Sequence, residues 1–246
     1  MVGPRGLCAA LTAWALTLVA VPASAECRQA LVLGLDVSGS VDLREYWLQR
    51  NGLASALEDP EVVAAFLAVP DAPVSVMVFE WSGAFYQREL HPWVSVTSSG
   101  DLAAIANQLR SDKKVGGKNS TAIGAAMLFA GRAFEQVSDC WKRTLDLSGD
   151  GKNNDGPGPE VLTDEVSLQN LTINGLVIIG YTGASTVLPQ VDVAELVAYF
   201  QRIVIRGPGA FTEVALGFED FELAMKKKLL REIDVPAFSH LATGSR

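Results

Sequence analysis

Apolar residues follow two alternating patterns along the chain. Short β-rich apolar runs, such as Val74 to Trp81 and Leu171 to Tyr181, alternate with stretches of helical spacing, such as Leu43 to Leu57 and Thr121 to Phe134. Strands that alternate with helices predict an open, mostly parallel sheet with helices on both faces. The fold class predicted from this pattern is therefore α/β with three layers.

The other predicted elements keep this alternation. An opening strand stops at Asp36, and a turn at Ser82 and Gly83 makes a hairpin of the run 74–81 and a second run from Ala84 to Leu90. The pattern also predicts strands from Arg143 to Ser148 and Ala210 to Ala215, and helices from Pro60 to Leu67, Leu102 to Leu109, Glu160 to Leu168, Val193 to Arg202 and Asp220 to Ile233.

The first 25 residues differ in character from the rest of the 246-residue chain. Arg5 supplies their only positive charge, residues 7–21 are almost wholly apolar, and Ala23 to Ala25 fits a small-residue cleavage site. This pattern is typical of a secretory signal peptide, with an uncleaved anchor as the alternative. We therefore expect an exported protein, periplasmic or secreted, in which residues 26–246 form a single domain.

Charge and hydropathy exclude several kinds of partner. The formal net charge of −8 disfavours binding to nucleic acid or to anionic lipid over a broad surface. After the first 25 residues no stretch approaches about 20 uninterrupted apolar residues, so no membrane span is expected in the mature chain. The basic run Lys226 to Lys228 lies inside a predicted helix and indicates a solvated face.

Two cysteines remain once Cys8 is removed with the predicted signal peptide. Cys27 precedes the opening strand and Cys140 precedes the strand at 143–148. An even pair in an exported protein favours a disulfide, with two buried free thiols as the alternative.

The run from Ala30 to Asp42 is an apolar strand that stops at an aspartate and continues through alternating serines. Oxygen atoms of Asp36, Ser38 and Ser40 can converge on one cation if the backbone curls around it, and Gly39 eases such a curl. The alternative is an ordinary turn before a helix, in which Asp42 and Glu45 form a capping box.

Two later residues have the chemistry to join this set. Thr121 opens a predicted helix after a glycine-bearing loop, where it supplies either a cation ligand or a helix cap. Asp150 lies between two glycines at the end of a strand, and the alternative to a metal ligand is an ordinary turn aspartate. Asp36 and Asp150 both follow strand ends, which is where ligands gather in open α/β sheets.

Other chemistry fits the sequence less well. The run from Asp36 to Ser40 lacks the outer glycines of a G-x-S-x-G nucleophile motif. An EF-hand loop that began at Asp146 would place Pro157 where a bidentate glutamate is needed.

The order Asp36-x-Ser38-x-Ser40, then Thr121, then Asp150 resembles the metal-ion-dependent adhesion site, or MIDAS, of von Willebrand factor type A (vWA) domains. The runs EWSG, SGDGKNN, INGL and GPGAF are similar to those of an exported bacterial family of unknown function, DUF1194. The resemblance implies a Rossmann-like six-stranded sheet in the order 3-2-1-4-5-6, with one antiparallel edge strand. It makes the first and fourth strands neighbours, and so makes a Cys27 to Cys140 bridge plausible.

The same resemblance implies the kind of function. Asp36, Ser38, Ser40, Thr121 and Asp150 would hold a divalent cation, Mg²⁺ by preference and Ca²⁺ or Mn²⁺ otherwise, with Asn119 as an alternative to Thr121. An acidic residue of a partner protein would complete the coordination of this cation. The expectation is a non-enzymatic, adhesion-type module; the alternatives are a metal-dependent hydrolase of phosphate esters and a structural domain with an empty site.

Overall fold

The computed structural model describes residues 27–113, 115–179 and 190–233. The predicted signal peptide, residues 1–25, lies outside the described residues. The strands are β1 Gln29–Asp36, β2 Val74–Trp81, β3 Gln87–Val96, β4 Lys142–Gly149, β5 Thr172–Ile178 and β6 Thr212–Ala215. The helices are α1 Leu43–Glu58, α2 Pro60–Phe66, α3 Ser99–Ser111, α4 Ile123–Phe134, α5 Gln190–Tyr199 and α6 Phe221–Glu232.

The strands form one six-stranded sheet in the order β3-β2-β1-β4-β5-β6. Strands β2 and β3 are antiparallel, and every other neighbouring pair is parallel. This topology confirms the predicted fold class and strand order. It also puts the ends of β1 and β4 side by side at one edge, because parallel neighbours finish at the same edge.

Helices cover the two faces of the sheet. All eight residues of β1 are buried, as expected for a central strand with helices on both sides. One apolar cluster joins the sheet to α1, α2, α3 and α6, and a second joins it to α4. Within the described part of the chain, no helix is both long and apolar enough to cross a membrane.

Two predicted elements differ from the structure. Strand β3 runs from Gln87 to Val96 rather than from Ala84 to Leu90. Its start is later because residues 82–86 form a turn in which Tyr86 N–H donates to the Gly83 carbonyl at 2.9 Å. The helix predicted from Glu160 to Leu168 is replaced by two 3₁₀ turns, Pro159–Val161 and Val166–Leu168. The guanidinium of Arg206 donates to the carbonyls of Pro159 and Leu162, at 2.7 and 3.0 Å, and so holds this segment in a non-helical path.

The interpretation of the basic run as a solvated face is wrong for one of its three lysines. Lys227 is exposed, and Lys226 pairs with Asp59 at 2.9 Å. Lys228 is completely buried between α6 and the sheet, where it contacts Asp146 of β4. The inner face of helix α6 therefore carries a charged side chain, which hydrophobic periodicity alone does not reveal.

The two cysteines meet at the edge of the sheet opposite the carboxyl ends of β1 and β4. Their Sγ atoms lie 2.08 Å apart, within a disulfide that closes a 113-residue separation. The backbone beside the bridge continues the pairing of the two strands, since Trp141 N–H donates to the Cys27 carbonyl at 2.9 Å.

Candidate metal centre

The chain turns sharply where β1 ends at Asp36. Oδ1 of Asp36 accepts a hydrogen bond from the backbone N–H of Ser38 at 2.8 Å, which curls the chain around the carboxylate. Asp36 and Ser38 are both 1% exposed. The predicted capping box is also present, because Glu45 N–H donates to Asp42 and Asp42 N–H donates to Glu45. The turn and the helix cap are therefore successive features of one loop.

Gly39 allows a second loop to approach this turn. A Cβ atom at residue 39 would lie 2.7 Å from the Cα of Asn119, a distance that real Cβ atoms do not reach. The φ angle of Gly39 is not in the left-handed region, so close packing rather than backbone conformation requires glycine here. Gly117 is similar, because its Cβ would lie 2.5 Å from the Val37 carbonyl oxygen.

Folding brings the serines to Asp150. The hydroxyl of Ser40 donates to Oδ1 of Asp150 at 2.7 Å, and the two serine hydroxyls, those of Ser38 and Ser40, lie 3.3 Å apart. Asp150 follows the last residue of β4 directly. Four of the five residues predicted from the sequence therefore lie within one connected cluster at the carboxyl edge of the sheet.

Gly149 makes room for the carboxylate of Asp36. A Cβ at residue 149 would lie 3.2 Å from Oδ2 of Asp36. This buried oxygen accepts no hydrogen bond from any residue that the structure describes. A buried carboxylate oxygen without a donor is costly, and a bound cation or water would satisfy it.

Thr121 lies close to Gly151, the residue that follows Asp150. Its side chain is 5% exposed, and its Oγ1 lies 3.7 Å from the position that a Cβ of Gly151 would take. The backbone of Thr121 is held on both sides by Asn154, whose Oδ1 accepts from Thr121 N–H at 2.8 Å and whose N–H donates to the Thr121 carbonyl at 2.9 Å. The backbone of Asn119, the alternative residue, packs on Gly39.

Burial and like charge act on the two carboxyl groups together. Burial, with the charge of Asp150 as the second cause, raises the pKa of Asp36 to about 8. Burial also raises the pKa of Asp150. Two carboxylates that share a buried site repel each other when both are ionised, and a bound cation removes that repulsion.

Asp155, which was not predicted from the sequence, helps to hold the rim in place. Asp155 accepts hydrogen bonds from Ala84 N–H and from the Ser120 hydroxyl, both at 2.9 Å, and so ties together three loops. Ser82 accepts from Lys118 N–H at 2.8 Å. The loop after Asp150 is polar and rich in Gly, Asn and Asp, and this composition could have indicated a role for Asp155. No local feature of the sequence indicated that Ala84 and Ser120 would be its partners.

The EWSG run, at the base of the hairpin, also helps to hold the loops of this rim in position. Glu80 is completely buried and accepts hydrogen bonds from Tyr46 and Tyr86 hydroxyls, at 3.1 and 2.7 Å, and from Arg88 at 2.8 Å. Arg88 also pairs with Asp112, at 2.7 Å, where the loop that leads to Thr121 begins. This network fixes both the hairpin and that loop against α1.

The donor set suits a hard cation. Carboxylate and hydroxyl oxygens are ligands typical of Mg²⁺, Mn²⁺ and Ca²⁺, whereas zinc favours sulfur and nitrogen. Residues 27–113, 115–179 and 190–233 contain no group of three or more His, Cys, Asp or Glu side chains that could hold a metal. The candidate centre has two carboxylates, and its remaining donors are hydroxyls.

Comparison with solved structures defines the class of fold. Proximal thread matrix protein 1 from the mussel byssus aligns with a TM-score of 0.57 at 13% identity, over 85% of this chain and 49% of that one. A von Willebrand factor type A structure from Catenulispora acidiphila aligns with a TM-score of 0.52 at 13% identity, over 84% of this chain and 43% of that one. The pilus adhesin SpaC from Lactobacillus rhamnosus GG gives a TM-score of 0.56 at 12% identity, over 84% and 30%. The chain has the vWA-type fold and spans about half the length, or less, of these proteins.

The family follows from the sequence itself. A family profile described as "Protein of unknown function (DUF1194)" matches residues 26–237, so the chain belongs to the DUF1194 family. No curated protein matches the chain in sequence. One structure of the mussel protein, 14% identical with a TM-score of 0.57 over 85% of this chain and 49% of that one, is described as having a zinc-occupied MIDAS motif.

Proposed function

We propose that this chain is an exported, non-enzymatic binding module of the vWA type that engages a protein partner through a divalent cation. Asp36, Ser38, Ser40, Thr121 and Asp150 are the proposed ligands. In this proposal residues 1–25 are removed on export and residues 26–246 form the module.

The observation that carries the proposal is the contact between two distant loops. Ser40 and Asp150 are 110 residues apart in the chain, yet their side-chain oxygens lie 2.7 Å apart. Next to them, Oδ2 of Asp36 is buried and accepts no hydrogen bond from the described residues. A cation that binds these oxygens would satisfy the orphaned atom and offset the repulsion between the two carboxylates.

Magnesium is the proposed ion. The ligands are all hard oxygens, and a set of two carboxylates and three hydroxyls leaves room for water or a further ligand. Calcium and manganese have the same preference for oxygen and are the alternatives. The zinc named for the mussel protein supports a site for a divalent cation in this fold without fixing its identity here.

A partner carboxylate is the proposed further ligand. Three exposed apolar side chains lie on segments next to those that carry the proposed ligands. Leu43, at the start of α1, is 60% exposed, Phe85, in the turn before β3, is 101% exposed, and Val115, in the loop before Thr121, is 69% exposed. Exposed apolar residues grouped around a polar centre are typical of protein interaction sites. The likeness to a pilus adhesin is compatible with this kind of interaction.

Isothermal titration calorimetry with Mg²⁺ tests the proposal on the folded protein and on an Asp36→Ala variant. We expect a single Mg²⁺ site in the original protein and none in the variant, because Asp36 supplies the most buried carboxylate. Asp139→Ala, which removes an exposed acid beside the disulfide, at the edge of the sheet opposite the candidate centre, serves as the matched control and should bind normally. Equal Mg²⁺ affinity in the Asp36→Ala variant would exclude the proposed centre.

A second measurement separates binding from catalysis. The protein is incubated with Mg²⁺ and a panel of phosphate esters, with and without chelator. We expect no turnover. Hydrolysis that disappears with the chelator and with Asp36→Ala would replace the binding module with a metal-dependent hydrolase that uses the same ligands.

A further inference from the structure

Three ionisable side chains meet inside the protein, away from the candidate metal centre. Nζ of Lys228, on α6, lies 2.8 Å from Oδ1 of Asp146, on β4, and 2.6 Å from Oε1 of Glu232, one helical turn further along α6. Lys228 is 0% exposed, and Asp146 and Glu232 are each 1% exposed. One ammonium is therefore shared between two carboxyl groups in a region closed to solvent.

The surroundings hold these groups in fixed positions. The amide of Asn174, on β5, donates to Oε1 of Glu232 at 2.7 Å and accepts from Phe211 N–H at 3.1 Å. The ring of Phe211 covers the cluster, with its centroid 5.1 Å from Nζ of Lys228. These contacts explain why the INGL and GPGAF runs come together, because Asn174 belongs to the first and Phe211 to the second.

The single positive charge of Lys228 does not neutralise both carboxylates, those of Asp146 and Glu232. Both carboxylate oxygens of Asp146 and Oε2 of Glu232 are buried and accept no hydrogen bond from the described residues, so the 2.8 Å contact between Lys228 and Asp146 is an ion pair without hydrogen-bond geometry. Burial, followed by the negative charge of Glu232, raises the pKa of Asp146 to about 7. A buried ion cluster with unsatisfied oxygens costs free energy that a neutral, hydrogen-bonded group would not.

We propose that Lys228 and Asp146 react to form an intramolecular isopeptide bond, with Glu232 as the proton carrier. The nucleophile is Nζ of Lys228 and the electrophile is Cγ of Asp146. No external reagent is required, because the reaction is a condensation between two side chains that folding has already placed in contact.

The step balances in atoms and charge. Glu232 accepts a proton from the Lys228 ammonium, and the resulting neutral amine attacks Cγ of Asp146. A bond between Nζ and Cγ forms and one Cγ–Oδ bond breaks. The departing oxygen leaves as water with two protons, one returned by Glu232 and one that Nζ loses as the amide forms. The ammonium and the carboxylate together become one amide and one water molecule, so one positive and one negative charge disappear and Glu232 recovers its starting state.

Two physical effects favour this reaction in the folded protein. Contact between fixed groups replaces a bimolecular encounter, and effective molarities of about 10⁵ M or more are reached in well-oriented cases. Exclusion of water favours condensation over hydrolysis. The product ties the last described helix covalently to a central strand of the sheet.

Intact-mass spectrometry of the folded, purified and then reduced protein tests the proposal directly. We expect a mass lower than that of the unmodified chain with the same termini by one water molecule. After tryptic digestion, peptide 144–152 should be joined to peptide 228–231, because an amide at Lys228 blocks cleavage there. Fragment ions within the first peptide distinguish Asp146 from Asp150 as the linked residue.

Two variants assign the roles. Lys228→Arg keeps the positive charge but lacks the amine, so it should show the full mass. Glu232→Gln keeps the shape of the side chain but cannot carry the proton, so the cross-linked fraction should fall strongly. A full, unmodified mass in the folded original protein overturns the bond, and complete cross-linking in Glu232→Gln overturns the proposed role of Glu232.

Discussion

The hydroxyl of Ser40 donates a 2.7 Å hydrogen bond to the carboxylate of Asp150, across 110 residues of sequence. The two residues follow β1 and β4, which are parallel neighbours in the sheet. The contact is therefore a direct result of strand order, because the carboxyl ends of adjacent parallel strands must lie side by side.

Replacing Ser40 with alanine should weaken Mg²⁺ binding while leaving the fold intact. Ser40 is exposed, so its loss costs little packing, but the variant lacks one proposed oxygen ligand and the group that orients Asp150. We expect the dissociation constant for Mg²⁺ to rise by about tenfold or more, by analogy with lost groups that orient metal ligands. Ser138→Ala, an exposed serine before β4, is the control, and an unchanged constant in Ser40→Ala would remove Ser40 from the ligand set.

Saturating Mg²⁺ should stabilise the protein against denaturant. A ligand that binds only the folded state adds about 2.7 kcal/mol to the free energy of unfolding when its concentration is about 100 times its dissociation constant. Urea unfolding with Mg²⁺ and then with excess chelator measures this difference. The Asp36→Ala variant should give the same unfolding curve under both conditions; a Mg²⁺ effect of equal size in that variant would point to binding elsewhere.

Substituting alanine for Gly39 should disturb the centre without touching a ligand. The new Cβ would meet the Asn119 backbone at 2.7 Å, so the loop before Thr121 would have to move. Overpacking of this kind costs about 1–3 kcal/mol of stability, and we expect Mg²⁺ affinity to fall with it. Gly100→Ala is a matched control, since its nearest contact would be an ordinary 3.4 Å; equal behaviour of the two variants would contradict the close approach.

Removing the disulfide should destabilise the fold. The Cys27→Ser, Cys140→Ser double variant loses a link across a separation of 113 residues, and such a loss costs about 2–5 kcal/mol. Denaturant unfolding with and without reductant measures the effect. Reductant should shift the midpoint of the original protein and leave that of the variant unchanged, whereas a reductant-insensitive original protein would argue against a stabilising bridge.

Replacing Lys228 with methionine should be among the most damaging changes in the chain. It removes the group that Asp146 and Glu232 share, and with it the proposed amide; the loss of a buried ion pair alone costs about 3–5 kcal/mol, and the loss of the amide adds to this. Lys227→Met alters the neighbouring exposed lysine and should change the free energy of unfolding by less than about 0.5 kcal/mol. Chemical unfolding compares the two variants, and similar stabilities would mean that Lys228 is not held as the structure indicates.

Local patterns predicted the central elements well and the connections less well. Strand β2 begins and ends at the predicted residues, because its apolar run is bounded by prolines on one side and by Ser82 and Gly83 on the other. Strand β3 was placed three residues too early, since Ala84 to Tyr86 look like strand but are drawn into a turn. The segment from Glu160 to Leu168 has helical spacing but is not an α-helix. Arg206, from a loop distant in sequence, donates hydrogen bonds to the carbonyls of Pro159 and Leu162.

In the candidate centre, too, the residues within short local segments were predictable and the contacts between distant loops were not. Asp36, Ser38 and Ser40 could be proposed together because they lie within one short turn, and Asp150 could be added because it follows a strand. The supports of Thr121 were not predictable, because Asn154 and Asp155 hold this rim through contacts between loops far apart in sequence. Lys228 was misassigned for a related reason, since its charge is balanced by Asp146 on another element.

By itself the amino-acid sequence determined the alternation of strands and helices, the candidate ligands near strand ends and the pairing chemistry of the two cysteines. These features depend on local periodicity, turn residues and side-chain type, which neighbouring residues specify. Only the tertiary structure decided which carboxylates share a site, which glycines must lack a Cβ and which lysine is buried. Those outcomes depend on distances between elements, and such distances are set by how the helices pack against the sheet.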